Sequence, residues 1–588
     1  MKSKLVSIAK NLFSPIAHQY IFFVVFFCLM DYPNFVYLFS NNSFLGFLSS
    51  SCIPLFLSYI FSLIIHVSKF RVVKLLFYSI TFLFFLFYLF LHNVFGLKIS
   101  PQVLVAILET NKSETSEFFS TFAFNNDAIL VYILISIFVI LIIYVEKYKQ
   151  KIKFWVTNIA VKKFIRYSLL CLVSASSIIT LKTYINLFSV KTLNEISVWD
   201  FQKSNFQDPI TRTTYSLFHI YYEGIGNKKV VELCRIASKE NITSTNDSIT
   251  LIVVIGESHI KHHSSLYGYY LSTQPFLEQE KQKGNLFVFN NVVATQNFTA
   301  TSLRDIFCCN SLSDGEYYYN QPMFPAIFKN ADYNVMFWDN QKEYIKNTGV
   351  SFSLNHFLYN KDVYNLLYNQ TNKHSYHYDK GLVLNFKKHK HQLKDKNLVI
   401  FHLKGQHISA KKRFPRKFAK FTYKDIKRNE KYLNKDKLQK IADYDNATLY
   451  NDYILKTIID LFKDENAVLV YLSDHGEEEF DYRDSEGRKA YTNDLYNYLK
   501  YQYEIPLYIW CSNKYKETNS AKIESLKQSL NKKMMSDNIY NTLFSLCDLK
   551  TKYYKPKRDV LNPKYNIKDR IVGYSINYDS IVVSHKEN

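Results

Sequence analysis

Two short strings hold the side chains best suited to chemistry. Gly256-Glu257-Ser258 follows an apolar run at 250–255 (TLIVVI), and Ser473-Asp474-His475-Gly476 follows another at 466–472 (NAVLVYL). Carboxylate oxygens and imidazole nitrogens are ordinary zinc ligands. A metal held by Glu257, Asp474 and His475 could lower the pKa of a bound hydroxyl and create a nucleophile near neutral pH. Each string alone is a weak signal, since Asp-His-Gly at a strand end serves a turn as often as a site. One string after each of two buried runs is much harder to obtain by accident.

Such groups need a scaffold that brings them together. Runs at 250–255, 286–293, 333–338, 397–402, 466–472 and 505–510 read as buried strands, with helical patterns such as 447–462 between them. Strands alternating with helices predict an α/β fold with a mainly parallel central sheet. In such sheets the chemistry sits just beyond the carboxyl ends of the strands, where both strings fall.

The first third of the chain is different. Five apolar stretches, approximately 19–39, 43–66, 74–92, 127–145 and 164–186, approach the roughly 20 residues that cross a bilayer. The reading is therefore a five-span helical membrane domain at 1–190, a linker with an interfacial helix at 191–247, and a catalytic domain at 248–588. Lys69, Arg71 and Lys74 crowd the second loop, and Lys147, Lys149, Lys151, Lys153, Lys162, Lys163 and Arg166 crowd the fourth. Basic loops face the cytoplasm, which puts the N-terminus inside and the catalytic half outside. The third loop carries Thr110 and Glu114, four apart and so on one face if helical. A hydroxyl and a carboxylate there suit an ammonium group, with a solvated polar turn as the competing reading.

The formal net charge of +22 could suggest nucleic acid, but the basic residues are dispersed among membrane segments and no nucleic-acid motif accompanies them. An anionic lipid or phosphorylated glycolipid surface fits better, and no nucleic-acid partner is expected. A basic run at 411–440 is either a solvated loop or a docking surface for such a glycolipid. The eight cysteines show neither disulfide-framework nor zinc-finger spacing, and Cys308-Cys309 is not read as a disulfide.

Longer strings carry a specific resemblance. Residues 252–277 (IVVIGESHIKHHSSLYGYYLSTQPFL), FWDNQ at 337–341, HLKGQH at 402–407, YDNATLYNDYIL at 444–455 and SDHGEE at 473–478 resemble blocks of the phosphoethanolamine transferase family. That family belongs to the alkaline phosphatase/sulfatase superfamily. ILETNKSE at 107–114 resembles its head-group-binding segment, and the SLYGY wording favours the branch that acts on lipopolysaccharide core over the one acting on lipid A. The resemblance implies an inner-membrane enzyme with a periplasmic catalytic domain. Its donor would be phosphatidylethanolamine and its acceptor lipopolysaccharide, on core heptose or lipid A.

The family's threonine nucleophile matches Thr299 in Asn297-Phe298-Thr299-Ala300-Thr301. The resemblance thus implies that Glu257, Thr299, Asp474 and His475 hold one zinc, and that Thr299 forms a covalent phosphoethanolamine intermediate. It also assigns the transferred phosphate or a second zinc to His407, substrate contacts to Asn340 and Gln341, and the ammonium group to Thr110 and Glu114. His402 is a substrate contact or a structural hydrogen-bond partner. One departure stands out: relatives carry a further site histidine after the Asp-His-Gly block, and none lies between Gly476 and Trp510 here. Tyr501 is the expected replacement. The alternatives are a phosphoglycerol transferase of the same superfamily, or phosphoethanolamine transfer to another periplasmic glycan or a protein.

Overall fold

The computed structural model describes residues 20–41, 44–68, 70–109, 126–148, 159–198, 207–244, 247–341, 361–488, 494–573 and 575–587. The chain divides into two compact units, Met1–Glu223 and Gly224–Asn588. Thr110 and Glu114 lie outside the described residues.

The first unit is helical. Five helices, α1 (Tyr20–Asn41), α2 (Phe44–Ser68), α3 (Arg71–Phe95), α4 (Asn126–Tyr148) and α5 (Ile159–Ser189), fall on the five apolar stretches. Among the described residues three spans, Gly46–Ser68, Arg71–Phe95 and Ile159–Ser189, are long and apolar enough to cross a membrane. The five-span expectation thus resolves into three such spans and two shorter apolar segments, Phe23–Val36 and Ala128–Tyr144. In α1 the apolar run is interrupted by Asp31 and Asn34, which pair with each other at 2.6 Å, while Ser51 of α2 donates to Asp31 at 3.0 Å. Ile133, Ile137, Ile140 and Ile143 of α4 are exposed, the outward apolar face that a lipid-facing helix requires. The expected linker contains the helices Leu193–Val198 and Pro209–Ala237.

The second unit is built on a seven-stranded sheet: β1 (Ile249–Gly256), β2 (Leu286–Phe289), β3 (Asn334–Asp339), β4 (Gln370–Thr371), β5 (Lys396–His402), β6 (Ala467–Ser473) and β7 (Leu507–Cys511). The spatial order is β2-β7-β6-β1-β5-β3-β4. From β6 to β4 neighbours pair parallel, whereas β7 runs antiparallel to both β6 and β2. The sheet is therefore mixed: four of its six pairings are parallel, and the parallel expectation fails at β7. An apolar run such as IPLYIW satisfies a covered strand in either direction, so its sequence does not reveal that β7 is reversed. β1 sits at the centre with all eight residues buried, because both faces are covered. A helix at Lys435–Phe462, capped by the Asn434 side chain, packs Ile454, Leu455, Ile458 and Ile459 into the core against Ile252, Val254 and Leu469.

Register delivers the site. Gly256 lies opposite Ser473, and Ile255 and Asp339 both lie opposite His402. The next residues of β1 and β6 are Glu257 and Asp474, so both carboxylates emerge at one edge of the sheet.

Beneath that edge, a buried ion cluster ties the SLYGY segment to the loop after the Asp-His-Gly block. His263 Nδ1 is 2.7 Å from Asp445 Oδ1, its Nε2 is 2.9 Å from Asp481 Oδ1, and Tyr269 donates to Asp445 Oδ2. The ring stacks on Tyr269 and meets Tyr444 edge-on. Burial alone would lower the pKa of His263, but the two aspartates push it up to about 10. A raised folded-state pKa contributes stability that is complete below the ordinary value of about 6.5 and fades as pH rises toward 10. Thermal unfolding of the wild type should therefore show this decline from pH 6.5 to 10, and His263→Gln should lose it. His263→Leu, which strands two buried carboxylates, should cost about 3–5 kcal/mol. Parallel pH profiles for wild type and His263→Gln would contradict this assignment.

Candidate active site and metal centre

Glu257, Asp474 and His475 are fully buried, and one ligand atom from each lies within 4.8 Å of the others. The local backbone is shaped to achieve this. Ser258 adopts a left-handed conformation (φ 55°), a strained choice for a non-glycine residue. Its amide thereby donates to Asp474 Oδ1 at 3.1 Å and its hydroxyl to Glu257 Oε1 at 2.8 Å. Gly476 allows the chain to pass the Tyr501 carbonyl, which would lie 2.1 Å from a Cβ at that position. Gly405, at φ 49°, presses in the same way on the backbone of Glu257.

Hydrogen bonding fixes the state of each ligand atom. His475 Nδ1 is 2.6 Å from the Gly476 carbonyl oxygen, which can only accept. Nδ1 therefore carries the proton and Nε2 keeps its lone pair. Burial and Arg488 push the His475 pKa down to about 3, leaving the ring neutral. The lone pair of Nε2 faces Asp474 Oδ2 at 3.1 Å and Glu257 Oε1 at 3.5 Å. Asp474 Oδ2 is buried and accepts no hydrogen bond among the described residues.

The pair of carboxylates is unequal. Burial raises the pKa of Asp474, helped by the neighbouring Glu257 charge. Burial opposes ionisation of Glu257 as well, but His475, His407, Arg488 and a hydrogen bond from Gln341 hold it below the usual carboxylate range. Two buried carboxylates and the unprotonated Nε2 of a neutral imidazole, with one ligand atom from each within 4.8 Å of the others, are the donor set a cation requires, so the residues present fit a bound zinc ion.

Thr299 completes the set. Its Oγ1 lies 3.3 and 3.2 Å from the two Glu257 oxygens and 3.2 Å from His475 Nε2. It is the first residue of the helix α6 (Thr299–Phe307), where free amides and the helix dipole favour an anion such as phosphate. Thr301 spends its hydroxyl on the Phe298 carbonyl one turn back.

The remaining expected residues divide. Gln341 donates to Glu257 Oε2 at 3.0 Å and to the Leu403 carbonyl at 2.8 Å, and its Nε2 lies 3.1 Å from His402 Nε2. His402 is buried and held by Asp339 at 3.0 Å, one layer behind Glu257. His407 is half-buried on the following turn, near enough for its charge to bear on Glu257 and His475. Arg413 braces that turn through the His407 and Ile408 carbonyls. Asn340 is directed elsewhere, to Asp379 and the Tyr376 amide. The Tyr501 ring packs on Tyr482 and His262, and no described hydrogen bond joins it to the ligand cluster. Arg488, which the sequence reading missed, instead places Nη1 3.0 Å from His475 Nε2. A lone arginine in a polar loop carries no spacing signal.

The strand ends of this mixed sheet gather a buried glutamate, aspartate and histidine around a hydroxyl at a helix N-terminus. The chain belongs to the sulfatase family, whose model matches residues 249–549. It is 32% identical over 333 residues to the phosphoethanolamine transferase EptC of Escherichia coli K12, covering 56% of each chain. The match thus spans little more than half the length of that relative. The C-terminal periplasmic domain of EptC from Escherichia coli, solved as a complex with Zn, superposes with a TM-score of 0.50 and 29% identity over 58% of this chain and 96% of that one. The integral membrane lipooligosaccharide phosphoethanolamine transferase A of Neisseria meningitidis has a TM-score of 0.58 and 16% identity, covering 92% and 98%, a likeness of fold.

Proposed function

We propose that this protein is a zinc-dependent phosphoethanolamine transferase of the bacterial inner membrane. Its five apolar helices would anchor it with the N-terminus in the cytoplasm and the catalytic domain in the periplasm. Phosphatidylethanolamine is the donor and lipopolysaccharide, on core heptose or lipid A, the acceptor. Thr110 and Glu114 would receive the donor's ammonium group. The observation that carries the reading is the position of Thr299 Oγ1, within 3.3 Å of Glu257 and His475 and at the head of a helix.

Glu257, Thr299, Asp474 and His475 would hold the zinc, which when bound lowers the pKa of a coordinated hydroxyl. Ser258 and Gln341 orient the Glu257 carboxylate, and the Gly476 carbonyl fixes the His475 tautomer. Thr299 Oγ attacks the donor phosphorus, and the phosphorus–oxygen bond to diacylglycerol breaks as the new bond forms. Diacylglycerol leaves with a proton, and phosphoethanolamine remains on Thr299. An acceptor oxygen then displaces Thr299, which recovers its proton. Throughout, the amides at the start of α6 face the phosphoryl oxygens, and His407 supplies a nearby cation or proton donor.

Mass spectrometry of lipopolysaccharide from cells with and without the gene tests this directly. A phosphoethanolamine increment should depend on the gene. Identical lipopolysaccharide, with phosphatidylethanolamine equally untouched by the purified protein, would overturn the reading.

A further inference from the structure

The loop after the Asp-His-Gly block contributes a cation that the mechanism above leaves unused. Arg488 is half-buried, with its guanidinium 5.4 Å above the Phe298 ring, the residue immediately before Thr299. Nη1 reaches His475 Nε2 at 3.0 Å and the Asn297 carbonyl at 3.5 Å, and Nε lies 3.6 Å from Glu477 Oε2. Asn297 is itself fixed, donating to Gln502 at 2.8 Å and to Tyr498 at 3.1 Å. The guanidinium is thus seated on a rigid shelf formed by consecutive residues 297 and 298. Thr299 Oγ1 and Arg488 Nη1 both reach the same atom, His475 Nε2.

A guanidinium carries five donors in a planar fork. The contacts above engage Nη1 and approach Nε, and Nη2 has no hydrogen-bond partner among the described residues. Arg483, five residues earlier, spends its own fork on Glu478 at 2.7 and 2.9 Å. Lys500 lies over the Tyr501 ring. Among the described residues of this stretch, Arg488 is therefore the cation that keeps unspent donors beside the nucleophile. A phosphorus poised for attack sits about 3–3.5 Å from the attacking oxygen, which brings its outer oxygens within reach of that fork. A planar fork matched to two phosphoryl oxygens is the role for which arginine is better suited than lysine.

We propose that Arg488 anchors the non-ester oxygens of the phosphoryl group that Thr299 accepts. The inference rests on the transfer reading above. Arg488 exchanges no proton and forms no covalent bond; it holds the phosphoryl group while the Thr299–phosphorus bond forms and the diacylglycerol ester breaks. A metal held by His475 would take the Nε2 lone pair and release Arg488 Nη1 from that atom, which would leave the fork to the phosphoryl oxygens.

The test is calorimetric titration of the full-length, zinc-loaded protein in detergent with inorganic phosphate, with zinc content measured on the same samples. Arg488→Ala should weaken phosphate binding tenfold or more and keep its zinc. Arg488→Lys should fall between the two, since the charge remains without the fork. Glu477→Gln combined with Arg488→Ala relieves the carboxylate left beside the missing cation, and it should bind phosphate as poorly as Arg488→Ala. Unchanged phosphate affinity in zinc-loaded Arg488→Ala would overturn the proposal, as would zinc loss in both that variant and the double variant. A wild type that binds phosphate through Arg488 yet leaves phosphatidylethanolamine intact would refute the donor and uphold the anchor.

Discussion

Thr299→Ala should abolish transfer and the covalent intermediate while leaving the fold intact. The hydroxyl spans Glu257 and His475, so its loss removes the oxygen that reaches both. The helix should tolerate the change, since alanine is the best helix former and Thr299 is a half-buried first-turn residue. Removing a nucleophile from a cooperating site typically costs about a millionfold in rate. Thr299→Ser should retain partial activity, since the hydroxyl survives but loses the methyl group that restricts its rotamer. Incubating wild type with phosphatidylethanolamine should add phosphoethanolamine to the peptide holding Thr299. Label on Thr295 or Thr301 would move the nucleophile, and normal turnover by Thr299→Ala would remove the two-step scheme.

Asp474→Asn should all but eliminate zinc binding and activity, and should do so without unfolding the domain. Oδ1 accepts amides from Ser258 at 3.1 Å and His475 at 2.7 Å, and an asparagine oxygen can keep both. The new amide nitrogen would replace Oδ2 and donate to His475 Nε2, occupying the lone pair that a metal needs. Loss of an outer-layer partner costs about 10–100-fold in metal affinity, and loss of a direct ligand should exceed that. The metal-free variant should melt no lower than metal-free wild type, because a carboxylate buried beside Glu257 has been neutralised. Metal analysis and thermal unfolding before and after chelation decide the matter. Full zinc occupancy in Asp474→Asn would remove Asp474 from the ligand set.

Much of this molecule could be read from its residues in order. The buried runs at 250–255, 397–402 and 466–472 became β1, β5 and β6 because fully covered parallel strands must be apolar on both faces. Glu257, Asp474 and His475 were legible because each follows such a run, and a strand's end is a position that sequence can mark. The five apolar stretches likewise emerged as five helices, since length and composition alone set them.

What remained hidden depends on distances across the chain. β4 is two residues long, and β7 runs against its neighbours, neither of which leaves a periodic trace. Asn340 and Gln341 are adjacent in sequence, yet one bonds Asp379 and the other Glu257, a division made by the turn after β3. Tyr501 was the expected stand-in for the missing histidine, but its backbone carbonyl, not its ring, meets the site, at Gly476. Arg488 reaches His475 because the loop after the Asp-His-Gly block folds back over Phe298, a path that no residue spacing encodes. Sequence by itself determined which chemical groups stand at the ends of strands, because local hydrophobic pattern dictates strands. Only the tertiary structure decided which distant side chains share an atom with them, because that depends on how loops of irregular backbone pack.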